Sequence, residues 1–246
     1  MEGLRSAIEY IFNLRTVVEH RVLDGLNYEV SSGGTKLLFP PTPQPVEVRT
    51  LSGFVALIKG GIEGAKEAEL LTRYFVKVVD EDEVLLLPIK ASEYGPRTYI
   101  ARATAMLAEG FQFKSFMPPE EFIIGLASKF AESDEQKKLI ALASDLTSDS
   151  SAQAVDNGVA QSIVVKDGAA LKKPGKTNPR VALKPYRTFS EAEQPESDFI
   201  FRIRKVIEAQ PPHCALFEAD GGAWKAKAVQ NIGDWFKGKT TLQIIA

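Results

Sequence analysis

The usable chemistry of this chain is concentrated between Lys172 and Arg204. Lys172, Lys173 and Lys176 lie in a basic, turn-rich loop, and Arg180, Lys184, Tyr186, Arg187, Arg202 and Arg204 follow within two strand-like runs. No carboxylate falls between Lys172 and Arg187. Guanidinium forks, ammonium groups and a stackable phenol ring are what a phosphate-bearing ligand or an unpaired nucleic-acid strand requires. On a strand, alternate side chains share a face. Val181, Leu183 and Pro185 therefore oppose Arg180, Ala182, Lys184 and Tyr186, while Phe199, Phe201 and Ile203 oppose Ile200, Arg202 and Arg204. Putting both apolar faces on one core leaves Arg180, Lys184, Tyr186, Arg202 and Arg204 on the exposed side. The competing expectation is an ordinary solvated face, its cations paired with Glu191, Glu193, Glu196 and Asp198 in the loop that joins the runs. Trp224 is a further ring on which a base could stack.

Other reactive residues do not assemble into a catalytic set. His213 and Cys214 are adjacent, so on a strand they face opposite ways and cannot act as a nucleophile–base pair. Cys214 reads as a buried structural thiol. One cysteine and two histidines leave no HExxH or CxxC metal spacing, and no GxSxG or SxxK marks a serine nucleophile. Gly60-Gly61 and Gly64 lack phosphate-loop spacing and read as a helix terminus. Asp80 to Glu83 lack the alternation of a calcium loop and read as a solvated hairpin tip. No catalytic residue, metal or cofactor is expected, and the chain does not read as an enzyme.

The elements that must position the basic residues can be read in order. Leu4, Ile8, Ile11 and Phe12 have helical spacing over residues 4–15. Asp24-Gly25 and Ser31-Ser32-Gly33-Gly34 mark turns between strand-like runs. The proline run 40–45 is a stiff connector, and Val46-Glu47-Val48 resumes a strand. Thr50 or Ser52 caps a helix that ends at Gly60-Gly61. Tyr74–Val79 and Val84–Leu87 are strands, and 97–107 is a third run, β-leaning early and helix-permissive from Ala101. Pro118-Pro119-Glu120-Glu121 opens one helix and Ser133-Asp134-Glu135-Gln136 a second, as a capping box. Thr147–Asn157 is polar and serves as the boundary. Strands follow at Val159–Val165 and Cys214–Glu218, with Ala223-Trp224-Lys225 prolonging the ladder before a helix through Val229, Ile232, Trp235 and Phe236. The fold expected is α+β: an N-terminal mixed part, residues 1–147, ending in a helical hairpin, and a C-terminal, mostly antiparallel part, residues 158–246, with a closing helix. The two could share one core.

At 246 residues and 44% hydrophobic content the chain can bury such a core. Its net charge of −2 excludes a whole-molecule field that draws it to nucleic acid, so any anion binding must be local. The N-terminus lacks the apolar core of a signal peptide, and no run reaches the length of a membrane span. A soluble, intracellular protein without a membrane partner is expected.

Three stretches carry a resemblance: PPEEFIIGLASKF (118–130), VALKPYRTFSEAEQPESDFIFRIR (181–204) and CALFEADGGAWKAKAVQNI (214–232). Together they resemble an uncharacterised phage and prophage family, the YfdQ-like group, over residues 118–237. Y-R-T-F, Q-P-E-S and A-D-G-G-A-W are the most specific pieces. The resemblance implies a cytoplasmic protein of an infected or lysogenic host cell, encoded near replication or recombination functions, and no mechanism. Joined to the basic face, it yields the expected function: a non-enzymatic accessory protein, homo-oligomeric, binding nucleic acid or a host or phage protein of that machinery. Two alternatives stand beside it: a counter-defence protein that sequesters a nucleotide signal in an oligomeric pocket, and a structural or assembly protein.

Overall fold

The structure is a computed structural model. It describes residues 3–7, 10, 18–23, 26–31, 34–38, 44–62, 64–90, 97–148, 153–156, 161–164, 166–167, 170–171, 175–176, 180–204 and 211–246. The proline run at 40–43 and the 149–152 part of the polar boundary lie outside them. Two compact units result, Met1–Gln44 with Ser92–Pro96, and Pro45–Ala91 with Arg97–Ala246. The chain is α+β, as its periodicities require.

In the first unit residues 3–7 and 10 are helical. Strands β1 (Glu19–Leu23), β2 (Leu26–Ser31) and β3 (Gly34–Leu38) form an antiparallel meander. Leu23 stands opposite Leu26 and Ser31 opposite Gly34, so the strand ends flank Asp24-Gly25 and Ser32-Gly33, which lie outside the described residues.

The second unit holds two cores. The first lies beneath a five-stranded sheet formed by β4 (Val46–Val48), β5 (Tyr74–Val78), β6 (Glu83–Pro88), β7 (Ala101–Thr104) and β16 (Ile244–Ile245), in the order β16-β5-β6-β7-β4. The edge pairs β16–β5 and β4–β7 are parallel and the inner pairs antiparallel. Alternate residues Val76, Val78, Val84, Leu86, Ala101 and Ala103 pack against α1 (Leu51–Gly60) and α5 (Ala223–Phe236). Phe54 meets Phe236 edge-on there, with ring centroids 6.2 Å apart. A short helix, α2 (Glu67–Leu70), adds Leu70.

The second core lies between β13 (Arg180–Leu183), β14 (Ser197–Arg204) and β15 (His213–Glu218), all antiparallel, and the hairpin of α3 (Pro119–Lys129) and α4 (Asp134–Ser148). Phe122, Leu126, Leu139, Ala143 and Leu146 meet Val181, Leu183, Phe199, Phe201, Ile203, Cys214 and Leu216. Ser133 Oγ caps α4 by accepting the Gln136 N–H at 3.1 Å. The buried Gln136 amide does not close the reciprocal half of the capping box; its Nε2 donates instead to the Leu126 carbonyl at 2.7 Å, joining the two helices. Between the hairpin and β13 run short pairings: β9 (Gln161–Val164) between β8 (Gln153–Asp156) and β12 (Gly175–Lys176), and β10 (Lys166–Asp167) with β11 (Ala170–Leu171).

Three local expectations are corrected. Ala223, Trp224 and Lys225 do not prolong a ladder; they are the first turn of α5, because the Asp220 carboxylate accepts the Gly222 and Trp224 N–H groups and starts a helix. The β-leaning residues 97–100 form no strand, and the helix-permissive part is strand β7 to Thr104, after which 105–107 have no regular structure. The acidic tip is not freely solvated. Asp80 to Glu83 are all half-buried, the Glu81 carbonyl accepts the Thr188 hydroxyl, and the Glu81 carboxylate holds Lys225.

The segment joining β13 to β14 is the larger surprise. It is a strap pressed onto the first core, with Phe189 and Ala192 only 2% and 5% exposed. Burying a phenylalanine contributes about 1.5–3 kcal/mol. Glu191 caps α1 from 139 residues away, accepting from Ser52 N–H at 3.0 Å, Ser52 Oγ at 2.7 Å and Leu51 N–H at 3.3 Å. Burial pushes its carboxyl up, but these donors outweigh burial and hold it below its ordinary value. Its stabilising contribution is therefore full above the unfolded-state pKa and disappears as pH falls through the lower folded value. Glu191→Ala is expected to cost about 1–2 kcal/mol at neutral pH, in line with other lost helix caps. Urea unfolding should show the gap between variant and wild type closing as pH falls below the ordinary glutamate range.

Candidate functional site

Strand parity sorts the residues of β13 and β14 as their sequence requires. Val181, Leu183, Phe199, Phe201 and Ile203 are buried, and Arg180, Ala182, Ile200, Arg202 and Arg204 point outward. The register sets Ile200 between Arg180 and Phe217, Arg202 opposite Ala215, and Arg204 opposite His213. Next to β15, Met117 bridges to Cys214, which places Phe116 on the outward side. Phe116 and Phe217 lie 6.0 Å apart between ring centroids, and the Arg204 guanidinium sits 4.2 Å over the Phe116 ring. Both rings are half-buried, and Ala215 beneath this group is fully covered. Nine residues of the three strands point outward: Arg180, Ala182, Asp198, Ile200, Arg202, Arg204, His213, Ala215 and Phe217. Three are guanidiniums and one is a carboxylate, Asp198, whose oxygen is 4.0 Å from Arg180. This edge-on aromatic pair, with Arg204 over one ring and Arg180 and Arg202 on the same strand face, is able to stack flat bases and hold phosphates.

Not every candidate cation joins this face. Lys184 lies past the end of β13 and pairs with Glu193 at 2.8 Å, which raises the Lys184 pKa and lowers that of Glu193. Tyr186 is 52% exposed beside the α3 terminus, where its N–H donates to the Lys129 carbonyl. Lys172 and Lys173 lie outside the described residues, and Lys176 is placed only as a backbone position in β12. Arg187, also named among the anion-binding candidates, does not lie on this face, and its side chain is 10% exposed. Its guanidinium lies 4.8 Å from the Phe113 ring, 5.4 Å from Phe199 and 4.5 Å from Trp224, and it donates to Glu218 at 2.8 Å. Desolvation lowers the Arg187 pKa, opposed by Glu218 and Asp220; an arginine remains charged regardless. Trp224 is accordingly occupied, with Arg187 over its ring and Lys225 5.3 Å away.

Of the aromatic pair, Phe217 was within reach of the sequence, because the alternation that buries Cys214 and Leu216 turns Phe217 outward. Phe116 was not, since only its tertiary bridge to β15 brings it there. Cys214 is fully buried, its thiol pushed up to about 12 by burial, as befits an inert core residue. Among the described residues no group of three or more His, Cys, Asp or Glu side chains could hold a metal ion. No helix among them is long and apolar enough to cross a membrane. Comparison of the chain with protein-family models, curated proteins and solved structures finds no match.

Removing Arg187 unstacks three rings and leaves Glu218 without its partner. Arg187→Ala is expected to lower stability by about 2–3 kcal/mol, tempered because Glu218 is about a third open to water. Arg187→Lys should recover only part of this, since an ammonium lacks the planar fork. Urea unfolding followed by tryptophan fluorescence reads both values.

Proposed function

We propose that this protein binds single-stranded nucleic acid, non-enzymatically, on the outward face of the β13–β14–β15 sheet. One observation carries the reading: Phe116 and Phe217 form a half-open aromatic platform next to Arg180, Arg202 and Arg204. Base stacking on aromatic rings contributes about 1–3 kcal/mol per base and is indifferent to sequence, while guanidiniums neutralise the backbone. Arg204, already lying on Phe116, presents a second flat surface for a base. The rings and guanidiniums spread over three strands, which favours a strand passing across the sheet over a small nucleotide enclosed within it. The resemblance to phage and prophage proteins supports a place beside replication or recombination in the cytoplasm of an infected cell.

Fluorescence anisotropy with a labelled oligothymidylate tests this. Three neutralised phosphates on a single strand give a log K against log salt slope of about −2. Phe116→Ala or Phe217→Ala should weaken binding by about 5- to 100-fold. The Arg180/Arg202/Arg204 triple alanine variant should lose both the affinity and the salt slope. Binding that ignores these substitutions contradicts the assignment.

A further inference from the structure

We infer that the β16 edge of the five-stranded sheet is an isologous contact between two copies of this chain, formed by antiparallel pairing of β16 with its twofold mate. The two edges of this sheet are treated differently. At β4 Val46 is 42% exposed, but Glu47 and the flanking Arg49 are charged and Pro45 precedes the strand, the charges and proline with which sheets blunt an edge. At β16 the segment Thr-Leu-Gln-Ile-Ile-Ala, 241–246, has no charged side chain and no proline, and Ile245 is 43% exposed. Such a row invites another strand.

The hydrogen-bond phase specifies which strand. The Val76 N–H donates to the Gln243 carbonyl at 2.9 Å, with Ile244 in register with Val76 and Ile245 with Lys77. In a parallel ladder this phase turns Gln243 and Ile245 towards β5 and leaves the N–H and C=O of Ile244 pointing outward. One residue thus offers a donor and an acceptor side by side. An antiparallel copy with its twofold axis at Ile244 satisfies both, each Ile244 N–H donating to the carbonyl of the other.

Side chains agree with this axis. Opposed residues of an antiparallel pair share a face, so the Ile244 side chain of the copy falls on the α5 side of the sheet. There a groove of about 520 Å³ lies open, lined by Ala226, Val229, Gly233 and Ile244, with Asp234 and Lys237 at its rim. Small residues keep it open, and Gly233 can be nothing larger, because a Cβ there would come 2.7 Å from Ala246 Cβ. Asp234 and Lys237, one turn apart, pair with each other at 2.6 Å, so α5 brings no unpaired charge to this groove. The edge is also held in place: Glu67 accepts from Thr240 Oγ1 and Thr241 N–H at 3.0 and 3.1 Å, fixing the turn that delivers β16.

Sedimentation velocity on the full chain between about 1 and about 200 μM, the range a small interface demands, tests the contact. A concentration-dependent monomer–dimer equilibrium is expected. Ala226→Arg fills the groove from an exposed helical position, and Ile245→Glu sets two like charges near the axis while facing Lys77 in its own chain. Each should weaken dimerisation at least tenfold with an unchanged circular-dichroism spectrum. Hydrogen exchange gives a second reading: the Ile244 amide gains protection as concentration rises, and the Ile245 amide, already bonded to β5, does not. A wild-type chain that stays monomeric throughout, or a dimer indifferent to both substitutions, overturns the proposal and assigns the edge to a strand from a different protein.

Discussion

A buried guanidinium sets the arrangement of the larger unit. Arg187 lies where the second core meets α5, with Phe113 and Phe199 belonging to the former and Trp224 to the latter. A charge so placed is tolerable only because aromatic faces and Glu218 replace the water it gave up. Its Nη2 has no hydrogen-bond partner among the described residues, so the rings must compensate. Disturbing any one of the three rings or the carboxylate leaves a charge uncompensated, which is costlier than the loss of an ordinary contact.

From Arg187 onward the strap is held almost residue by residue. Thr188 donates to the acidic β5–β6 tip, Phe189 and Ala192 enter the first core, and Glu191 caps α1. The Gln194 side chain folds the strap on itself, its Oε1 accepting the Arg187 N–H and its Nε2 donating to the Phe189 carbonyl, while Asn231 of α5 donates to the Glu193 carbonyl. Two acids of this stretch are therefore committed to structure: Glu191 to a helix terminus and Glu193 to Lys184. The outward arginines of β13 and β14 keep Asp198 as the one acid on their strands. Among the described residues of those strands three arginines and one carboxylate point outward, in a chain whose net charge is −2.

Much of this was legible because it is local. The period-2 alternation of Val181–Leu183 and Phe199–Ile203 sorted core from surface, and D-G, S-G, Thr50 and Ser133 marked turns and caps through backbone chemistry that needs no tertiary partner. What was hidden depends on distant contacts. S-E-A-E reads as a solvated acidic loop until a helix N-terminus 139 residues away is set against it. Arg187 looks like one more surface cation until three rings enclose it, and A-D-G-G-A-W reads as a hairpin until Asp220 caps α5. The terminal helix was expected from its periodicity, yet its apolar face serves the first core and not the sheet that precedes it. Parity assigns a face, but the neighbour on that face comes from topology.

The central claim is a division of labour within 180–204, in which Arg187 holds the fold and Arg180, Arg202 and Arg204 meet the ligand. Arginine Nε–H NMR spectra recorded while an oligothymidylate is titrated in separate the two groups directly. The Nε–H signals of Arg180, Arg202 and Arg204 should shift in step with binding while that of Arg187 stays in place. A moving Arg187 signal, or three outward arginines that remain silent as the strand binds, contradicts the account.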